Sequence, residues 1–439
     1  MAHILRTIDH QPIDYWLIKY DKHGNEVLDS GELASEEVLQ ALKSSTATDV
    51  FVVSHGWKGT WESAQSQYDR WIAAVAAARP GVLPRDVRPF VVGVHWPAQW
   101  FVPMGVDRDS AGKTLAGAPA ESWPDGTPLE AADVTTIAKE FAAILGDTPQ
   151  MRNNLERALT ADALGKTLDK DRDAEAALAV VREDVRVQDA LFDSDEVKNP
   201  AGDGSALLGG GPIGFAITAL RQLSFWTMKR RAYIVGASGV AALLRDLQEA
   251  AGTQARLHLM GHSLGCIVMS SAVYSDDRPP AKPVSSMLLV EGALSLWAYA
   301  DNAFAIGRPG RFRGIRDPRF VAGSIVTTQS EHDKAVGFWY PKSAAIAGFV
   351  PGGSDHRMLG DRDPTTVEYG ALGAWGAQDA AAKDVLINDV RPDTTFARGA
   401  VYNVDASTAI VRADGKDAHG DIASPPMALL AWRTVLSAP

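Results

Sequence analysis

Short apolar runs alternate with amphipathic stretches along most of the chain, which predicts an α/β protein whose mostly parallel sheet carries helices on both faces. The strand-like runs are Asp49–Val53, Pro89–His95, Arg256–Met260, Ser286–Val290, Gly323–Thr328 and Gly399–Asn403. Helical patterns cover Trp61–Ala78 and Leu223–Ala250, start again at Leu264 and end the chain near Pro426–Leu436. An opening hairpin is expected between Tyr15–Tyr20 and the segment after Glu26.

The alternation is interrupted between Pro97 and Gly211 by a polar, acidic and alanine-rich stretch. Three helical patterns lie in it, near 129–145, 150–164 and 174–191, with Pro and Gly clusters between them. No strand pattern is found there. The sequence therefore predicts a core made of residues 1–97 and 212–439, with residues 98–211 inserted as a helical cap or lid.

Composition excludes several classes of protein. The 439 residues carry 43 basic and 54 acidic side chains, a formal charge of −11, which argues against nucleic acid as a partner. Cys266 is the only cysteine, so an intrachain disulfide and a cysteine-rich zinc site are excluded. No apolar stretch reaches the roughly 18 residues of a membrane span, and the first ten residues do not resemble a secretory signal. We expect a cytoplasmic protein.

The segment Gly261-His-Ser-Leu-Gly265 matches the G-x-S-x-G pattern of a nucleophile elbow. The pattern alone is weak evidence, but here it follows a buried-strand pattern directly and opens a helical one. Such a sharp turn exposes a serine hydroxyl, so Ser263 is the candidate nucleophile. The neighbouring His262 is expected to pack or hydrogen-bond away from the hydroxyl, and Cys266 to be a small buried core residue.

A serine nucleophile needs a base, usually a histidine oriented by a carboxylate. Among the histidines after Ser263, His419 lies between a late strand pattern and the last helix, and it is favoured over His356 in a polar loop. Asp333 follows the strand pattern Gly323–Thr328 and is the favoured acid. Glu291, directly after the preceding strand, is its competitor.

An acyl-transfer site also needs backbone N–H groups that bind the oxyanion. One donor is expected to be the N–H of Leu264, directly after the nucleophile. The other is expected to be the N–H of Trp57, in the loop Ser54-His-Gly-Trp57 that ends an earlier strand. Candidate substrate-binding residues are His55, Phe215 and Trp226, the last two in or beside an apolar segment. This segment could form a lid, a core helix or a membrane-surface helix.

These motifs, in this chain order, resemble the lipase and esterase branch of the α/β-hydrolase superfamily. The resemblance covers roughly Asp14–Pro97 and Leu223–Pro439. It implies a sheet of about eight strands and hydrolysis of a carboxylic ester, small or lipid-like, through an acyl-enzyme. No metal or organic cofactor is needed for that reaction. The same triad on an amide, peptide or thioester bond, an acyltransferase, and a non-catalytic binding module are the alternatives.

Overall fold

The computed structural model describes residues 3–29, 31–56, 61–79, 83, 85–98, 228–252, 255–275, 280, 282–302, 309–333, 335–336, 370–411 and 418–438. Nine strands in this part of the chain form one sheet in the order β1-β2-β4-β3-β5-β6-β7-β9-β8. They are β1 His3–Ile8, β2 Gln11–Lys19, β3 Asp49–Ser54, β4 Pro89–His95, β5 Arg256–His262, β6 Ser286–Val290, β7 Ile325–Gln329, β8 Lys383–Leu386 and β9 Val401–Asp405. Only β1 runs antiparallel to its neighbour, so the predicted mostly parallel α/β class is confirmed.

Helices cover both faces of this sheet. The described α-helices are α1 Ala34–Ser44, α2 Trp61–Ala77, α3 Ala241–Ala250, α4 Gly265–Val273, α5 Leu372–Trp375 and α6 Pro425–Val435. Successive residues of β3 point to opposite faces, as a strand requires. Val50 and Val52 therefore belong to one apolar cluster, with α1, α3 and α4, whereas Phe51 and Val53 belong to the other, with α2 and α6.

The predicted helix Leu223–Ala250 is helical in its described part, residues 228–250, and it contains a π-helical turn at Gly236–Val240. A Cβ on Gly236 would approach Ser271 Oγ to 2.0 Å and Val268 O to 2.3 Å. The glycine therefore allows this helix to pack directly against the backbone of α4, which is almost entirely buried.

The two ends of the sheet differ from the prediction. The hairpin partner of β2 is β1, through a two-residue turn in which Asp9 and His10 both have positive φ. The segments that were expected to pair are joined, in the described residues, by an isolated Tyr20–Glu26 bridge. The edge strands β1 and β8 have mostly exposed or half-exposed side chains. They lack the apolar signal of a buried strand, which is why the sequence predicts fewer strands than the nine described.

The chain reverses its direction across the sheet between β3 and β5. These neighbouring strands are parallel, yet β3 is followed by α2 on one face and β5 by α4 on the other. Loops that leave in opposite directions open a crevice at the carboxyl ends of such a strand pair, where α/β proteins commonly bind ligands.

The predicted insertion, apart from Ala98, falls within residues 99–227, outside the described part of the chain. In that part no helix is long and apolar enough to cross a membrane.

Candidate active site

Ser263 stands on a strained turn between β5 and α4. Its φ of +56° lies in the left-handed region, which costs a residue with a Cβ about 1–3 kcal/mol. The turn is held by its backbone: Ser263 N–H donates to Val290 O at 3.0 Å, and Ser263 O accepts from the N–H groups of Cys266 and Ala293, each at 3.1 Å. These bonds tie the turn to the end of β6, so the unusual backbone geometry expected for a nucleophile elbow is present.

The loop after β3 lies against this turn. A Cβ on Gly56 would be only 2.5 Å from Ser263 Cβ, and a Cβ on Gly265 would be 2.5 Å from Ser54 O and 2.6 Å from His55 O. Both glycines are therefore required by the close approach of two backbone segments. The loop that should carry an oxyanion donor is thus in van der Waals contact with the nucleophile candidate.

Leu264, whose backbone N–H is the first predicted oxyanion donor, directly follows Ser263 at the start of α4. Leu264 precedes the first turn of α4, where helix N–H groups have no acceptor within the helix. Among the residues that the structure describes, no acceptor receives the Leu264 N–H. Trp57, the second predicted donor, lies outside the described residues, as do Phe215 and Trp226.

The side chain of His55 stabilises the loop after β3 through hydrogen bonds to the backbone. Its Nδ1 bonds to the carbonyl of Gly56 at 2.8 Å and its Nε2 faces the backbone N–H of Trp96 at 3.3 Å. Because a carbonyl only accepts, Nδ1 carries the proton and the ring is neutral. Burial, followed by the nearby His95, lowers the pKa of His55 to about 3. Both ring nitrogens thus contact backbone groups and stabilise the conformation of the loop. The predicted contact of His55 with substrate stays a prediction.

The structure brings Asp333 and His419 together across 86 residues of sequence. His419 Nδ1 lies 2.5 Å from Asp333 Oδ2, with the carboxylate fully buried and the imidazole 17% exposed. Burial alone would raise the pKa of Asp333. The charge of His419 and the hydrogen bonds from His419, Glu291 and Val336 outweigh it, so the pKa lies below its usual value. Asp333 is therefore an ionised hydrogen-bond partner for the imidazole of His419.

His262 connects His419 to the turn of Ser263. Its Nε2 donates to His419 O at 2.8 Å, and the two imidazole centroids are 4.7 Å apart. Its Nδ1 accepts from Gln67 Nε2 at 2.7 Å. Burial, then the neighbouring His419, lowers the pKa of His262 to about 3. His262 thus hydrogen-bonds as expected and joins the backbone of His419 to the turn that carries Ser263. Nothing in the sequence indicated the distant Gln67.

A second set of serine, histidine and aspartate lies at the opposite end of the sheet. His258 Nδ1 is 2.8 Å from Ser286 Oγ, and its Nε2 is 2.9 Å from Asp49 Oδ1. All three side chains are at most 1% exposed, and Asp49 is also bound by Arg85 and Arg256. A substrate cannot reach Ser286 through these contacts. Hydrogen-bonded Ser, His and Asp residues therefore do not by themselves indicate an active site; the strained turn, the adjoining loop and the helix N-terminus distinguish the set at Ser263.

Within the described residues, no group of three or more His, Cys, Asp or Glu side chains is arranged to hold a metal ion. Comparison with known proteins finds no matching family model, curated protein or solved structure. The function must therefore be argued from the site itself.

Proposed function

We propose that this protein is a serine hydrolase with an α/β-hydrolase type of fold, which cleaves a carboxylic ester through an acyl-enzyme. The observation that carries the proposal is the left-handed φ of Ser263 on a strand-to-helix turn. No described residue accepts the N–H of Leu264, and His262 joins this turn to the His419–Asp333 pair. A serine in an ordinary turn needs none of these features. The order of the functional loops, nucleophile after β5, acid after β7 and histidine after β9, agrees with the chain order of that superfamily.

In the proposed reaction, Nε2 of His419 takes the proton of the Ser263 hydroxyl as its oxygen attacks the acyl carbon. The bond of Nδ1 to Asp333 fixes the tautomer that leaves Nε2 to act as base and stabilises the imidazolium that forms. The imidazolium then gives its proton to the departing alkoxide oxygen, so that an alcohol leaves. Water repeats the sequence and releases the carboxylic acid with the Ser263 hydroxyl restored.

The oxyanion of the tetrahedral intermediate is expected to bind the N–H of Leu264 and, from the loop after β3, that of Trp57. Removing one such donor typically lowers kcat by about 10²–10³-fold, or roughly 3–4 kcal/mol. The contact of Gly56 with Ser263 supports this assignment, because it brings that loop to the nucleophile. Residues 98–211 are proposed to form the cap that shapes the substrate pocket.

The decisive test is covalent labelling of Ser263 by a fluorophosphonate, with hydrolysis of nitrophenyl esters of increasing acyl length. Ser263→Ala should abolish both labelling and turnover. Ser271→Ala is the matched control, because this buried serine on α4 bonds only to helix carbonyls. An amide and a thioester of the same acyl group would separate ester hydrolysis from the related acyl-transfer activities. Wild-type turnover in Ser263→Ala would exclude the proposed mechanism. A wild-type protein that fluorophosphonate does not label would contradict the assignment as a serine hydrolase.

A further inference from the structure

Two carboxyl groups lie in contact behind His419. Glu291 directly follows β6, Asp333 is in the loop after β7, and both residues are at most 1% exposed. The two carboxyl groups lie within hydrogen-bonding reach of each other, and such a bond requires a proton on one of them. Two ionised carboxylates in contact inside a protein repel each other strongly, so the pair must hold a proton.

The remaining contacts indicate which carboxyl group carries this proton. Asp333 faces His419 Nδ1 at 2.5 Å and accepts the backbone N–H of Val336 at 3.1 Å, so donors compensate its charge. Among the described residues, one donor reaches the carboxyl group of Glu291: Thr328 Oγ1, at 2.8 Å from Oε1. Its Oε2 accepts no hydrogen bond from any residue that the structure describes. This buried oxygen belongs to a carboxyl group within reach of a carboxylate, so it is the natural place for a hydroxyl group.

The side chain of Glu291 is also fixed in this orientation. The Thr328 hydroxyl accepts the backbone N–H of Glu291 at 3.0 Å and donates its own proton to Glu291 Oε1. Because Oε1 accepts this bond, it is the carbonyl oxygen of the carboxyl group. Glu291 itself has a left-handed φ of +47°. A Cβ on Gly373 would be 2.6 Å from Glu291 Cα, so α5 packs directly on this turn. Thr328 and α5 thus hold the strained backbone of Glu291 in place, as expected where the orientation of a side chain has a function.

The other titratable groups around Glu291 do not favour its ionised form. Asp405, at the end of β9, adds to the repulsion from Asp333, and burial makes the largest contribution to a pKa well above the usual range for a glutamate. Cys266 on α4 is also near, and burial raises its pKa, so its thiol remains neutral. Neither group supplies a positive charge.

We propose that Glu291 is a positioning residue that stays protonated at neutral pH and donates its proton in a hydrogen bond to the carboxylate of Asp333. This bond orients Asp333 toward His419 and keeps the negative charge of the pair on the aspartate. The consequence for catalysis rests on the proposed hydrolase function, but the protonation of Glu291 does not and can be measured without substrate.

The direct test is difference infrared spectroscopy of the whole protein at neutral pH. Wild type minus Glu291→Gln should contain the carbonyl band of a protonated carboxyl group, which shifts in D₂O. Glu331→Gln, which removes an exposed carboxyl group from the loop of Asp333, is the matched control and should remove no such band. If Glu291 contributes only carboxylate bands, the inference is wrong, whatever the protein hydrolyses.

Thermal unfolding gives an independent result. An unfolded glutamate releases its proton above about pH 4.3, whereas a native Glu291 with a raised pKa keeps it, so wild-type stability falls as pH rises above that value. Glutamine has no proton to retain, and its amide can donate to Asp333. The difference in Tm, Glu291→Gln minus wild type, should therefore become more positive between about pH 5 and 8. A constant or falling difference would contradict a protonated Glu291.

Kinetics distinguish a positioning role from a structural one. Glu291→Leu removes the donor to Asp333 and should lower kcat/KM by about 10- to 100-fold, whereas Glu291→Gln should recover most of this loss. The acid limb of the kcat/KM profile should move to higher pH in Glu291→Leu, because an Asp333 without this donor stabilises the charged imidazole more. Equal losses in both variants with an unmoved acid limb would overturn the positioning role, and failure of Ser263 labelling would overturn only the hydrolase.

Discussion

Replacing Asp49 by asparagine perturbs a buried ion cluster at the amino end of the sheet, away from Ser263. Asp49 accepts from Thr48 Oγ1 at 2.7 Å, from Arg85 at 2.7 Å, from His258 Nε2 at 2.9 Å, and from two nitrogens of Arg256 at 3.0 and 3.1 Å. Asparagine keeps one acceptor oxygen but turns an NH₂ group toward donors. It also removes the charge that compensates two arginines.

The cost of this change follows from its burial. Asp49 is 0% exposed, and removing one partner of a buried ion pair destabilises a protein by about 3–5 kcal/mol. A typical unfolding free energy is about 5–15 kcal/mol, so Asp49→Asn should lower the urea midpoint strongly. The 12 tryptophans provide the fluorescence signal for this measurement.

The pH dependence of this loss has a definite sign. Burial would raise the pKa of Asp49, but hydrogen bonds from His258, Arg256 and Thr48 outweigh it and hold the pKa well below the usual value. A lowered native pKa contributes stability that is present above about pH 3.9 and lost as the pH falls. The difference between wild type and Asp49→Asn should therefore be largest near neutral pH and should shrink in acid.

Asp333→Asn is the matched variant at the other end of the sheet. It makes the same chemical change in another buried aspartate, at 2.5 Å from His419. We expect kcat on a nitrophenyl ester to fall by about 10⁴-fold, because the imidazole is left in the wrong tautomer, with a smaller loss of stability than in Asp49→Asn. The reverse outcome, a stable but inactive Asp49→Asn beside an active Asp333→Asn, would refute the assignment of the two sites.

Two further variants test the packing around Ser263. Burial lowers the pKa values of His55 and His262 to about 3, so their native rings stay neutral below about pH 6.5, where the unfolded chain binds protons. Each ring should therefore cost about 2 kcal/mol of stability at pH 5. His262→Gln should weaken the fall of the unfolding free energy with decreasing pH, whereas His10→Gln, at an exposed position, should not change it. Gly56→Ala would place a methyl group 2.5 Å from Ser263 Cβ and should lower kcat/KM by about 10-fold or more. Gly420→Ala is the control and should keep its activity, because a methyl group there would meet no atom within 4 Å. Equal activities of the two variants would contradict the close approach of this loop to Ser263.

Local sequence patterns were sufficient for the inner part of the fold. The strands β3, β5 and β6 are almost entirely buried, and their apolar patterns, like that of the partly buried β4, were visible in the sequence. The strained turn at Ser263 was also predictable, because its glycine and serine pattern directly follows a strand pattern and opens a helical one. The edge strands β1 and β8 were not, because an edge strand exposes most of its side chains and needs only one partner.

The identity of each residue's partner was decided by the tertiary structure. Several carboxylates follow strands, and the sequence could only rank Asp333 above Glu291 as the partner of His419. The folded chain brings all three together, with Asp333 on the imidazole and Glu291 behind it. It also separates Ser263 from the other Ser-His-Asp set, and it joins His262 to Gln67 across 195 residues. Strand and turn propensities depend on neighbouring residues and can be read locally, whereas contacts between distant loops depend on strand order, which is set by the packing of the whole sheet.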